Sequence, residues 1–74
     1  MAKGLPNSRN ANIASAAIEG KKVLLQTKSW PRTQLHLKGW IKVKYSLSRT
    51  TVADYINDVY YRLLSDPEVK HLVG

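Results

Sequence analysis

Seven apolar side chains recur at intervals of three and four along one stretch of the chain: Val52, Tyr55, Ile56, Val59, Tyr60, Leu63 and Leu64. Kept up for more than three turns, this spacing lines one face of an α-helix and excludes a strand, whose faces alternate every second residue. The helix has marked ends. Ser48 suits its N-cap, because a serine hydroxyl accepts from the free backbone N–H groups of the following turn. Asp66-Pro67 stops it, since the residue before proline is driven out of the helical region. Asp66 can then cap a short terminal turn reaching Val73, with Pro67 at its first position.

Upstream, Ile13, Ala16, Ala17, Gly20, Val23 and Leu24 share one helical face and predict a first helix over about residues 10 to 26. It is weakened near Gly20, because glycine costs ~1 kcal/mol in a helix interior. Residues 1 to 9 mix Gly4, Pro6, Asn7 and Ser8 with Lys3 and Arg9, the make-up of a flexible basic arm. Thr27 to Pro31 reads as a connection.

Residues 34 to 45 carry two patterns at once. Leu35, Leu37, Ile41, Val43, Tyr45 and Leu47 occupy alternate positions, a strand period, and a loop at Leu37-Lys38-Gly39 would close a hairpin pairing Leu35 with Ile41. A helix from about Arg32 to Tyr45 instead gathers Leu37, Trp40, Ile41 and Tyr45 on one face, leaves Val43 outside and must tolerate Gly39. Periodicity favours the strands; the junction with the next helix favours the helix. The expected fold is therefore all-α, a small three-helix domain over residues 10 to 74, with an α-β-hairpin-α arrangement as the alternative.

Size and charge narrow the functions. At 74 residues, a domain buries only about 60% of the surface its unfolded chain exposes, which leaves little room for an internal active-site cleft. A hydrophobic content of 43% is ample for a folded domain. There is no cysteine to form a disulfide or ligate zinc, which agrees with an intracellular, cytoplasmic setting. No segment approaches the roughly 20 apolar residues of a membrane span, and no signal-peptide core follows the first residues. The net charge of +7 is unevenly placed: residues 1 to 50 hold ten Lys/Arg and one acid, Glu19, while residues 51 to 74 are slightly acidic. A surface so basic meets an anion, most often phosphate, or else serves only as a solvated face.

The stretch Trp40-Ile41-x-x-Lys44-Tyr45-x-x-Ser48-Arg49-x-Thr51-Val52-x-x-Tyr55-Ile56 resembles the helix-turn-helix of small DNA-binding domains in phage terminase subunits, transposases and plasmid or viral regulators. The match covers Lys38 to Asn57. Ile41 and Tyr45 stand where the pattern has inward residues of its first helix. Ser46 and Leu47 stand at the turn and its apolar plug, and Val52 and Tyr55 at the inward positions of the second helix. The chain departs from the pattern at Lys42, where a small residue is usual, and at Ser46, where glycine is usual.

The resemblance implies that the outward face of the second helix reads double-stranded DNA. Arg49 would pair with guanine or hold a phosphate. Thr50 and Thr51 would reach a phosphate or a thymine methyl, and Asn57 an adenine. Asp54 would accept from a cytosine amino group or mark the edge of the footprint, with Asp58 near it. Ser48, Arg32, Lys38, Lys42, Lys44, Lys3 and Arg9 suit phosphate positioning. A homodimer is expected where two half-sites are read, with Tyr61, Val69 and Leu72 as its apolar contact.

Other residues carry less. Trp30 and Trp40 either stack on unpaired bases or pack, Trp40 in the core and Trp30 over the loop beside Pro31. His36 and His71 have no partner at metal-ligand spacing, the four glycines make no phosphate loop, and no catalytic constellation is assembled. No enzyme activity, metal or cofactor is expected. The function expected is DNA binding for a virus or mobile element, in transcription regulation, recombination or packaging. The rival is a small basic factor that docks on a host polymerase or replication protein.

Overall fold

Helix α1 spans Leu5–Thr27, α2 Trp30–Tyr45, α3 Arg49–Leu64 and the short α4 Lys70–Val73, in a computed structural model that describes residues 5–73. The three long helices pack against one another in all three pairs, and α4 folds back on α3. Among the described residues there is no strand. The hairpin alternative over residues 34 to 45 is thus set aside. The alternating pattern that favoured it came from Leu35 and Val43, which the helix leaves 72% and 81% exposed.

Two helix starts differ from the expected ones. α1 begins at Leu5, so residues 5 to 9 are helix rather than arm; Lys3 lies outside the described residues. Long-range contacts account for the extension. Arg9 pairs with Asp58 at 2.8 Å and its guanidinium lies 5.5 Å from the Tyr55 ring centre, which ties the first turns of α1 to α3. α2 begins at Trp30, so Trp30 and Pro31 belong to a helix rather than to the connection. Ser29 caps it by accepting from the Arg32 N–H, and Pro31 sits in the first turn, where its missing N–H has no helical partner to lose.

Ile13, Ala16 and Leu24 of α1 meet Leu37 and Ile41 of α2 and the full stripe of α3, Val52 through Leu63. Val69 and Val73 close the far end. The buried Thr33 hydroxyl donates to the Ser29 carbonyl at 2.9 Å, so it leaves no orphaned polar group. Gly20 lies where α1 crosses both partners. A Cβ there would stand 3.1 Å from Leu37 Cδ1 and 3.4 Å from Val59 Cγ1, both fully buried side chains.

α2 ends at Ser46, whose φ of 54° and ψ of 48° are left-handed. Leu47 follows, half-buried and packed against the core, and Ser48 caps α3 by accepting from the Thr51 N–H at 3.4 Å. A left-handed conformation costs a residue with a Cβ about 1–2 kcal/mol, and glycine avoids the cost. Ser46→Gly is expected to raise stability by ~1 kcal/mol, and the melting temperature by roughly 5 °C. A thermal melt that falls instead would show that the serine side chain supports the turn.

The C-terminal turn is held to α1 by Lys21. Its ammonium lies 2.7 Å from Glu68 and 2.9 Å from Asp66, while the Glu68 N–H donates to Asp66 at 2.9 Å. Hydrogen bonds to Glu68 and Asp66 hold Lys21 above its ordinary pKa. The bond from Lys21, then that from the Glu68 N–H, holds Asp66 below the usual carboxylate range. The Asp66 contribution is therefore present above an ordinary carboxylate pKa of about 4 and lost as pH falls through the depressed value. The Lys21 contribution is present below about 10.4 and lost as pH rises through the elevated one. Melting temperature should stay level across neutral pH and fall in acid, and Asp66→Asn should flatten part of that acid limb.

Candidate nucleic-acid interface

The charges are sorted by the fold, and this could not be read from their order in the chain. Arg9, Lys21 and Lys22, all on α1, are matched to acids: Arg9 to Asp58, Lys21 to Asp66 and Glu68, Lys22 to Glu19 at 3.8 Å. Glu19 also meets His36 at 2.8 Å. Four of the five acids are thereby engaged around α1, leaving Asp54. Lys28, Lys44, Arg62 and Lys70 are exposed and have no ion pair among the described residues; Arg32, Lys38 and Lys42 of α2 and Arg49 of α3 are exposed too. None of them forms an ion pair among the described residues.

Three of these four cations line one groove. It has a volume of about 570 Å³ and runs between α2 and α3, with Lys38, Gly39 and Lys42 on one wall and Arg49, Val52 and Ala53 on the other. A second hollow of about 370 Å³ shares Lys38 and Ala53 and continues toward Trp30, Gln34, Asn57 and Tyr60. Taken from Arg49 to Tyr60 along α3, the combined groove is roughly 16 Å long. One end is cationic; the other carries two amides beside the Trp30 and Tyr60 rings, whose centroids are 5.4 Å apart.

The three-residue turn at 46 to 48 fixes this arrangement. Left-handed Ser46 reverses the chain, Leu47 packs inward, and the extended Ser48 starts α3 with Arg49 and Thr50 at its open end. Thr50, Asp54 and Asn57 follow at three and four residue steps on one exposed face. The first turn of α3 carries its partial positive charge on unsatisfied N–H groups, which adds to the attraction for an anion.

The residues expected at the interface do not all gather there. Arg32, Lys38, Lys42, Arg49, Thr50, Asp54 and Asn57 are exposed on α2 and α3. Thr51 is half-buried, with its hydroxyl 3.0 Å from that of Ser48, so both are occupied in capping. Lys44 lies over the rings of Trp40, at 5.3 Å, and Tyr45, at 6.0 Å, and is partly committed to them. Arg9 is removed from the set by its pairing with Asp58. Both tryptophans are half-buried and packed against the core, Trp30 in the first turn of α2 against Tyr60 rather than over a loop. The expected dimer contact is also revised: Val69 is fully buried and Leu72 packs on the core, leaving only Tyr61 exposed there.

Sequence reading missed Gly39, Gln34 and Ala53 as groove residues. Only Gly39 gave a signal, as a glycine within a helix that its own packing does not require. No group of three or more potential metal ligands lies together among the described residues, and none of their helices is long and apolar enough to cross a membrane. Compared with known protein families, curated proteins and solved structures, the chain matches none.

Proposed function

We propose that α2, the turn and α3 form a helix-turn-helix that binds double-stranded DNA, serving a virus or mobile element in transcription regulation, recombination or packaging. The observation that carries this reading is the segregation of charge. Cations of α1 are spent on the protein's own acids, while those around the α2–α3 groove are free for phosphate. In this reading Lys38, Lys42 and Arg32, all on α2, hold the backbone beside α3, which gives affinity but no sequence information. Arg49, Thr50 and Asn57 face the base edges, where a guanidinium suits guanine and a carboxamide suits adenine. Asp54 tolerates only an amino group from a base and disfavours a phosphate beside it.

Binding to a bulk duplex should weaken linearly in log–log form with salt. Each neutralised phosphate contributes about −0.9 to the slope, so the three cations placed on the backbone give roughly −2.7 per chain. Selection from random duplexes at moderate salt then separates two roles. An enriched sequence supports reading by α3, and strong binding without enrichment supports packaging or architecture. Absence of salt-sensitive binding to any duplex removes the proposal.

A further inference from the structure

The solvent side of α2 carries apolar surface that nothing among the described residues covers. Leu35 and Val43 are 72% and 81% exposed, and Gly39 lies midway between them at four-residue steps on the same face. Glycine is among the least favourable residues inside a helix. At Gly39 an added Cβ would meet no atom of the described residues within 4 Å, so no contact among them calls for its absence. What glycine leaves is a shallow seat between two exposed apolar side chains. Lys38 and Lys42 border this seat toward the groove, Arg32 lies at its N-terminal end, and α2 contains no acid.

Two of three possible occupants fit poorly. A DNA strand presents phosphates for the cations but no apolar surface for Leu35 and Val43. A second copy crossing antiparallel at Gly39 would set Leu35 on Val43, but would also bring two uncompensated sets of Arg32, Lys38 and Lys42 together. An acidic amphipathic helix satisfies both features at once. Its apolar side lays residues at three and four steps over Leu35 and Val43, and its carboxylates meet the cations.

We propose that the outer face of α2 docks an acidic amphipathic helix of a partner protein, seated at Gly39. Docking itself does not depend on the DNA reading. One consequence does: Lys38 and Lys42 also line the groove, so partner and duplex exclude each other, and the partner acts as a release factor for DNA.

The test uses the full chain and a synthetic helical peptide with leucines at i, i+4 and i+7 flanked by glutamates. Binding is read by anisotropy and by amide shifts. The peptide should bind saturably, moving the amides of Leu35, Gly39 and Val43, and its leucine-to-serine version should bind at least tenfold more weakly. The double variant Leu35→Ser, Val43→Ser alters only exposed side chains and should lose at least tenfold in peptide affinity while keeping its duplex affinity within twofold. Gly39→Gln should raise the melting temperature, as a better helix former, and still weaken the peptide by filling the seat. Equal binding of both peptides, or full binding by the double variant, would reduce the effect to general attraction and overturn the proposal. So would a concentration-dependent dimer abolished by Gly39→Gln, which assigns the face to a second copy. Peptide binding without any duplex binding leaves the docking surface standing and sinks the DNA reading alone.

Discussion

Replacing Lys38, Lys42 and Arg49 together by alanine is expected to lower affinity for duplex DNA roughly a hundredfold at physiological salt. Two phosphate contacts, from Lys38 and Lys42, at about 0.9 each remove about 1.8 units from the salt slope, which at 0.15 M is about 1.5 decades in affinity, and loss of the Arg49 base contact, worth ~1–3 kcal/mol, supplies the rest. The fold should survive the change. All three side chains are exposed, and none is ion-paired among the described residues. Lys42 is informative here, because the proposed helix-turn-helix reading puts it where a small residue is usual. Its side chain is exposed and lines the groove, so truncating it removes charge without opening the core. Lys22→Ala, which takes a cation from α1 already matched to Glu19, is the control and should change affinity less than twofold. A triple variant that binds as well as the parent would place the binding face elsewhere.

Gly20→Leu is expected to cost at least about 3 kcal/mol and to lower the melting temperature by roughly 15 °C or more, leaving a domain of this size close to unfolded. Already at the Cβ, contact with Leu37 Cδ1 is 3.1 Å and with Val59 Cγ1 3.4 Å, and a leucine adds three further carbons in the same direction. Leu37 and Val59 are both fully buried, so neither has space to retreat. Gly20→Ala should be far milder, since its gain in helix propensity of ~1 kcal/mol works against a small clash. A tolerated leucine would mean that α1 crosses α2 and α3 at a greater distance than the structure shows. The contrast with Gly39 is direct. Both are helical glycines, yet only one is required by its neighbours.

α3 could be read from the sequence almost in full, because its stripe and its caps agree: Ser48 at the start, Asp66-Pro67 beyond the end, and all seven residues of the stripe packed between them. The inward residues of α1 were legible for the same reason. α2 was expected as a helix only from its junction with the next one, because Leu35 and Val43 superpose an alternating pattern on a helical one, and alternation belongs to strands only when it faces a core. Here those two residues face water, and a sequence does not show which of its apolar residues are left out. Arg9 illustrates a second limit. In composition it resembles Arg49, and only the fold brings Asp58, 49 positions away, within 2.8 Å of it. The division into spent and free cations arises mostly from pairings of that kind, Lys22–Glu19 being a local i, i+3 pair, so the basic half was visible in the sequence while the basic face was not.

The most direct test of the DNA-binding account is an amide-shift map of the labelled chain titrated with a duplex at moderate salt. The account predicts the largest movements at Gly39, Lys42, Arg49, Thr50 and Asn57, with Ile18, Lys22 and Leu25 on α1 nearly still. Largest movements on α1, with the α2–α3 groove unmoved, would contradict it.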